Sequence, residues 1–154
     1  MQTISELFDE YGLSHRHPFN KRVHWICVPA ILWSLLALLW SVPPVGGFGA
    51  PPLNWAVLAV IAMTVYYGVY SWRLAIGMVL VNAVLLGLCA VLAEALPLPL
   101  WQAALIVFVV AWIGQFIGHH VEGARPSFFK DLQFLLVGPA WLLGFVYRRL
   151  RLGY

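Results

Sequence analysis

Five histidines are the side chains with the clearest claim to chemistry. His15, His17 and His24 come early, and His119 and His120 come late. Neutral imidazole is the commonest protein metal ligand, and it suits Fe, Zn, Cu and Ni alike. A single histidine at a helix end reads most simply as a polar group facing water or headgroups. Five in two short clusters, in a chain with few other polar side chains, point to a shared metal ion. On a continuous helix, Gln115, His119 and Glu122 fall at i, i+4 and i+7, making one polar stripe. A polar stripe on an apolar helix end marks a candidate functional site. His120 points about 100° away from His119, so it reaches the same ion only if the helix end loosens at Gly118 or Gly123. Asn20 and His24 lie four apart and share a face, as do Tyr11 and His15. A bend at Pro18 can swing His15 and His24 together. Arg125 follows the stripe, where a guanidinium either holds a carboxylate bidentately or faces headgroups. Lys21 carries the same ambiguity.

These residues need a scaffold, and composition says in what solvent. Of 154 residues, 62% are hydrophobic and only 10% are charged. Ordinary soluble domains are about 45–50% apolar and about 25% charged. So much apolar surface cannot be hidden in a core of this size, and the solvent for most of the chain is lipid. A secreted domain, a disordered chain and a nucleic-acid binder are thereby excluded as leading readings. Between Trp25 and Gly118 only Arg73 and Glu94 are charged. The net charge of +3 therefore comes from the flanks, not from a basic groove. Residues 1–154 read as one membrane domain: a polar, histidine-bearing segment (1–24), an apolar block (25–118), a second histidine-bearing loop (119–131), and a broken apolar segment with a basic tail (132–154). Cys27 and Cys89 lie in apolar runs without metal-ligand spacing and read as small buried hydrophobes. Residues 1–24 hold no apolar core of a signal peptide.

The expected fold is all-α. Thr3 and Glu6 have capping-box spacing, and Ile4, Leu7, Phe8 and Tyr11 form an apolar stripe, so residues 3–15 read as an amphipathic helix on the membrane surface or on the bundle. Pro18 suits the first turn of the next helix. Four segments are apolar and long enough for a ~30 Å hydrocarbon core: 25–42, 53–70, 74–96 and 100–118. The run 132–147 is short and interrupted at Gly138-Pro139. Arg16, Lys21, Arg22, Arg73, Arg125 and Lys130 mark the cytoplasmic side. A full fifth span would put Arg148, Arg149 and Arg151 outside. We therefore expect four spans plus a re-entrant or interfacial helical hairpin broken at Gly138-Pro139, with five spans as the alternative. An even number of crossings between them lets the two histidine clusters meet on one membrane face. The Ala- and Leu-rich composition reads as bacterial. That implies an inner-membrane protein with its site facing the cytoplasm, or an endoplasmic-reticulum protein if the chain is eukaryotic.

The run from Tyr11 to His24, YGLSHRHPFNKRVH, with Pro29 beyond it, resembles the opening signature of the Mpo1-like family. The run from Trp112 to Pro126, WIGQFIGHHVEGARP, resembles that family's second signature. Their order, the apolar helices between them and the chain length agree as well. The resemblance implies an Fe(II)-dependent dioxygenase that shortens 2-hydroxy fatty acids by one carbon, with the carboxyl carbon leaving as CO2. In fungi this reaction belongs to breakdown of a sphingoid base at the endoplasmic reticulum. It implies His15, His24 and His119 as iron ligands, with His120 as a further ligand. His17 stands where many members carry Asn. Glu122, Gln115 and Asn20 would fix imidazole tautomers, and Glu122 is alternatively a direct ligand. Glu122, Asn20 and Arg125 complete the expected catalytic set. The implied partners are the hydroxy acid, O2 and membrane lipid. An oxygenase iron wants open coordination positions, which three or four histidines leave.

Other readings fit less well. A di-iron membrane hydroxylase needs more histidines in HxxxH and HxxHH boxes. A bis-histidine haem carrier needs facing histidines inside the spans. A transporter needs more internal charge. The non-enzyme alternative is a small membrane scaffold or lipid-binding protein with its histidines at the headgroups.

Overall fold

In a computed structural model, the chain is described over residues 3–44, 53–123 and 128–153, with the backbone alone for 128–133. Six helices follow one another: α1 (Ile4–Leu13), α2 (Pro18–Trp40), α3 (Trp55–Tyr70), α4 (Trp72–Ala95), α5 (Leu100–Glu122) and α6 (Phe128–Arg149). The all-α expectation holds among the described residues.

Local chemistry sets the helix starts. The Thr3 hydroxyl accepts from the Glu6 N–H at 3.3 Å, and the Glu6 carboxylate accepts from the Thr3 N–H at 2.7 Å. This is the expected capping box. The predicted stripe of Ile4, Leu7, Phe8 and Tyr11 is wholly buried, and α1 docks on α6. Pro18 opens α2, where its missing N–H costs nothing. Asn54 and Ser71 cap α3 and α4 through their side chains.

Helix α2 is the hub. It packs most extensively along α5 and also touches α3, α4 and α6, while α3 pairs with α4. The close α2–α5 seam has a cause in sequence. A Cβ at Gly114 would sit 2.7 Å from Cys27 Sγ, and one at Gly118 would collide with Asn20 Oδ1. Gly114 and Gly118 are thus a small-xxx-small pair that lets two helices approach without side chains between them.

Among the described residues, three helices are long and apolar enough to cross a membrane: α2, α4 and α5. The segment expected as a further span, 53–70, forms the 16-residue α3. That helix is ~24 Å long, short of a typical hydrocarbon core. Large apolar side chains such as Val65, Val84, Val91, Ile106 and Val110 are exposed on α3, α4 and α5, a surface suited to lipid contact.

Two expectations need correction. First, 132–147 is no broken hairpin. Helix α6 runs continuously through Pro139. Proline removes one intrahelical bond, the one Leu135 would accept, but need not end a helix whose faces are packed. The adjacent Leu136 carbonyl accepts the Tyr67 hydroxyl at 2.7 Å. Gly138 gives space to the Tyr11 hydroxyl, which would lie 3.0 Å from a Cβ there. Helix α6 meets Tyr11, Val28, Tyr67 and Arg73. All four lie toward the histidine end, so α6 lies across that end. Second, α5 does not stop at Gly118. It continues to Glu122, so His119 and His120 sit on its last turn, not in a loop.

Candidate metal centre

The site forms where the α1–α2 junction meets the end of α5. His15 follows α1, His24 lies in the second turn of α2, and His119 lies in the last turn of α5. His15 and His24 are buried and His119 is half-buried. One ligand atom from each lies within 4.8 Å of the others. The ring centroids are 4.1 Å apart for His15–His24, 5.2 Å for His15–His119 and 5.1 Å for His24–His119. The bend before Pro18 does swing His15 and His24 together.

Hydrogen bonding fixes which nitrogens are available. His15 Nδ1 lies 2.6 Å from the Tyr11 carbonyl, and His24 Nδ1 lies 2.9 Å from the Asn20 carbonyl. A carbonyl oxygen only accepts, so both Nδ1 atoms carry the proton and donate. Both Nε2 atoms therefore present lone pairs, and they face each other at 2.7 Å. Two acceptors at that distance repel unless a cation lies between them. A proton is a poor candidate. Burial, reinforced by His119, pushes His15 down to about 4 against the pull of the Tyr11 carbonyl, so its ring is neutral at physiological pH. A metal ion suits the arrangement. Imidazole nitrogen binds such ions at ~2 Å, so two ligands of one ion must stand within ~4 Å of each other. The donor set of three neutral imidazoles fits iron, zinc or copper.

The tautomers are thus set by backbone carbonyls four residues back, not by the side chains of Glu122, Gln115 or Asn20 as expected. Glu122 has a different task. Its Oε1 accepts the Arg16 N–H at 2.8 Å, and its Oε2 accepts the His17 N–H at 2.8 Å and the Asn20 side-chain amide at 3.2 Å. The same amide donates to the Ser14 carbonyl at 3.2 Å. One carboxylate at the end of α5 thereby ties down the junction that carries His15 and starts α2. It also places negative charge at that helix's positive end. With both oxygens engaged this way, Glu122 braces the segment that carries His15 and leads into α2.

The remaining expected residues scatter. His120 is exposed and outside the cluster of three. It points away from His119, as the helical turn requires. His17 is exposed and caps α2, its Nδ1 accepting from the Phe19 N–H at 3.2 Å. Gln115 is buried one turn before His119, and its Oε1 has no hydrogen-bond partner. Arg125 lies outside the described residues. Sequence reasoning missed the aromatic wall. Tyr11 stacks on His15 at 4.1 Å and 13°, and Trp141 stands 5.5 Å from His15. The Tyr11–His15 spacing was visible. Trp141 arrives from α6 and leaves no local signal.

Comparison with curated proteins and with solved structures gave no match. Two histidine-bearing segments, far apart in the chain and joined at one buried cluster, are what the opening and closing signatures of one family would have to build. The model of that family, described as 2-hydroxy-palmitic acid dioxygenase Mpo1-like, matches residues 1–150, and the chain belongs to the Mpo1-like family.

Proposed function

We propose that this protein is an intramembrane, Fe(II)-dependent dioxygenase that shortens 2-hydroxy fatty acids by one carbon. The observation that carries the reading is the pair of facing His15 and His24 Nε2 lone pairs with His119 beside them. The family's name supplies the substrate class. The overall reaction balances without a further reductant. A 2-hydroxy acid and one O2 give the acid one carbon shorter, CO2 and water.

His15, His24 and His119 would hold the iron. Bound there, it would supply a Lewis-acid centre for the hydroxy acid and for O2, which three protein donors would leave room to bind. The protein's own contribution is placement. The Tyr11 and Asn20 carbonyls aim two rings, and Glu122 and the Asn20 side chain lock the junction that carries them. Tyr11 and Trp141 wall off water on the α6 side. Arg125 keeps its sequence-based role as a partner for the substrate carboxylate. Exposed apolar flanks let an acyl chain approach from the bilayer. We place four crossings in a bacterial inner membrane, with the histidines facing the cytoplasm.

The test begins with metal content of detergent-purified protein beside His119→Ala. Near-stoichiometric iron, or zinc standing in for it, should be lost in the variant. Wild-type protein given 2-hydroxypalmitic acid under O2 should yield pentadecanoic acid and CO2 in equal amounts. Protein that stays metal-free after anaerobic Fe(II) reconstitution would sink the reading and leave a non-catalytic lipid-binding protein.

A further inference from the structure

A cavity of about 490 Å³ lies outside the histidine cluster. Trp72, Arg73 and Ile76 of α4, Tyr147 of α6, and Arg151, Leu152 and Gly153 of the tail line it. Among the described residues, two guanidinium groups line this wall and no carboxylate side chain does. The start of α4 adds the positive end of a helix dipole. Arg73 stacks over Trp72 at 5.3 Å and donates to the Gly153 carbonyl at 3.2 Å. Most of its N–H groups remain for something else.

The tail that lines one side of this cavity carries a residue in the left-handed backbone region. Leu152 N–H bonds the Tyr147 carbonyl at 2.9 Å, and Arg151 N–H bonds the Arg148 carbonyl at 3.2 Å. That is a Schellman cap, whose left-handed position is usually glycine. Here Arg151 occupies it, at φ 56°. A basic tail that only marked the cytoplasmic side would gain nothing from this strain. Strain of this kind points to a demand on the side chain.

The surface leading away from the cavity is apolar. Trp72, Ile76, Leu80 and Val84 follow at four-residue intervals on α4, and all are exposed. The stripe is ~18 Å long, which matches an acyl chain and has no use for a free anion.

We propose that this cavity binds the phosphate headgroup of an acidic membrane phospholipid. Arg73 and Arg151 hold the phosphate, whose planar contacts arginine suits, and one acyl chain lies along Trp72–Val84. The site is independent of the metal and of the reaction proposed above.

The test is native mass spectrometry of protein released from bilayers with equal phosphatidylglycerol and phosphatidylcholine. Wild type should retain one phosphatidylglycerol. Arg73→Gln with Arg151→Gln should cut retention at least ~10-fold, since each interfacial cation contributes separately, while metal content stays unchanged and shows that the fold persists. Arg151→Gly separates strain from binding. It should raise the melting temperature of lipid-free protein and still weaken phosphatidylglycerol retention. Millimolar inorganic phosphate should not displace the lipid. Equal retention of both lipids, unchanged retention in the variants, or full displacement by phosphate would each overturn the proposal.

Discussion

The two ends of the bundle are held by different means. At the histidine end, polar bonds join distant parts of the chain. Glu122 reaches Arg16, His17 and Asn20, Tyr67 reaches Leu136, and Tyr147 reaches Arg73 at 2.7 Å. At the far end, local side-chain bonds join described residues: Ser41 to the Ala37 carbonyl at 2.8 Å, and Asn54 to the Val57 N–H at 3.0 Å. Its core is apolar, with Leu100, Ala104 and Cys89 buried. Packing between membrane helices gains little from burial alone, because lipid is as apolar as leucine. Apolar contact can hold helices together while tolerating small slides. Polar bonds between distant residues cannot slide, and they concentrate where ligand atoms must meet.

The sharpest way to break this contrast is at the ligands. His24→Ala or His119→Ala should abolish retained metal and lower turnover at least ~100-fold while the helical content persists, read by elemental analysis, product formation and circular dichroism. Full activity in either variant would remove the site. Next in size is the brace. Glu122→Gln keeps the shape but loses the charge and half of its acceptors, and metal affinity should fall ~10–100-fold, measured by competition with a chelator. An unchanged affinity would mean that the junction holds itself.

The seam comes third. Gly118→Ala drives a methyl into Asn20 Oδ1. It should cost ~1–3 kcal/mol and lower metal content together with the melting temperature. A far-end change should separate those two readouts. Asn54→Ala removes the α3 cap and should cost ~1 kcal/mol, seen as a lower melting temperature with metal content intact. Loss of metal in this variant would erase the difference between the ends. The smallest effects belong to His120→Ala and His17→Ala. The first should leave metal and stability unchanged, and the second should cost only part of a helix cap.

The frame was legible in sequence wherever chemistry is local. Thr3 with Glu6 announced a cap, Pro18 announced a helix start, and the spacing of His15 and His24 about Pro18 announced that the two could meet. Three of the four histidines expected at the site, His15, His24 and His119, do converge, and the family's motifs pointed to them; His120 does not join them. The means of convergence was not. Both tautomers are set by backbone carbonyls, and Glu122 grips backbone N–H groups, which every residue carries and no motif records. Trp141 reaches His15 by tertiary packing alone. Pro139 misled for a related reason. Its local tendency is to end a helix, but packing on both sides of α6 outweighs one missing bond.

The spacing of the ligands along the chain has a meaning in time. His24 and His119 are separated by about 95 residues, and chains are made at ~5–20 residues per second. The first two imidazoles therefore face each other, or wait apart, for ~5–20 s before the third exists. Glu122, the residue that locks the junction, is made three residues after that third ligand. The cluster can close only once α5 has packed along α2. A chain in which α5 meets α2 the wrong way round cannot assemble it. A fully formed triad is thus a record of correct biogenesis, written into the protein by where its histidines lie.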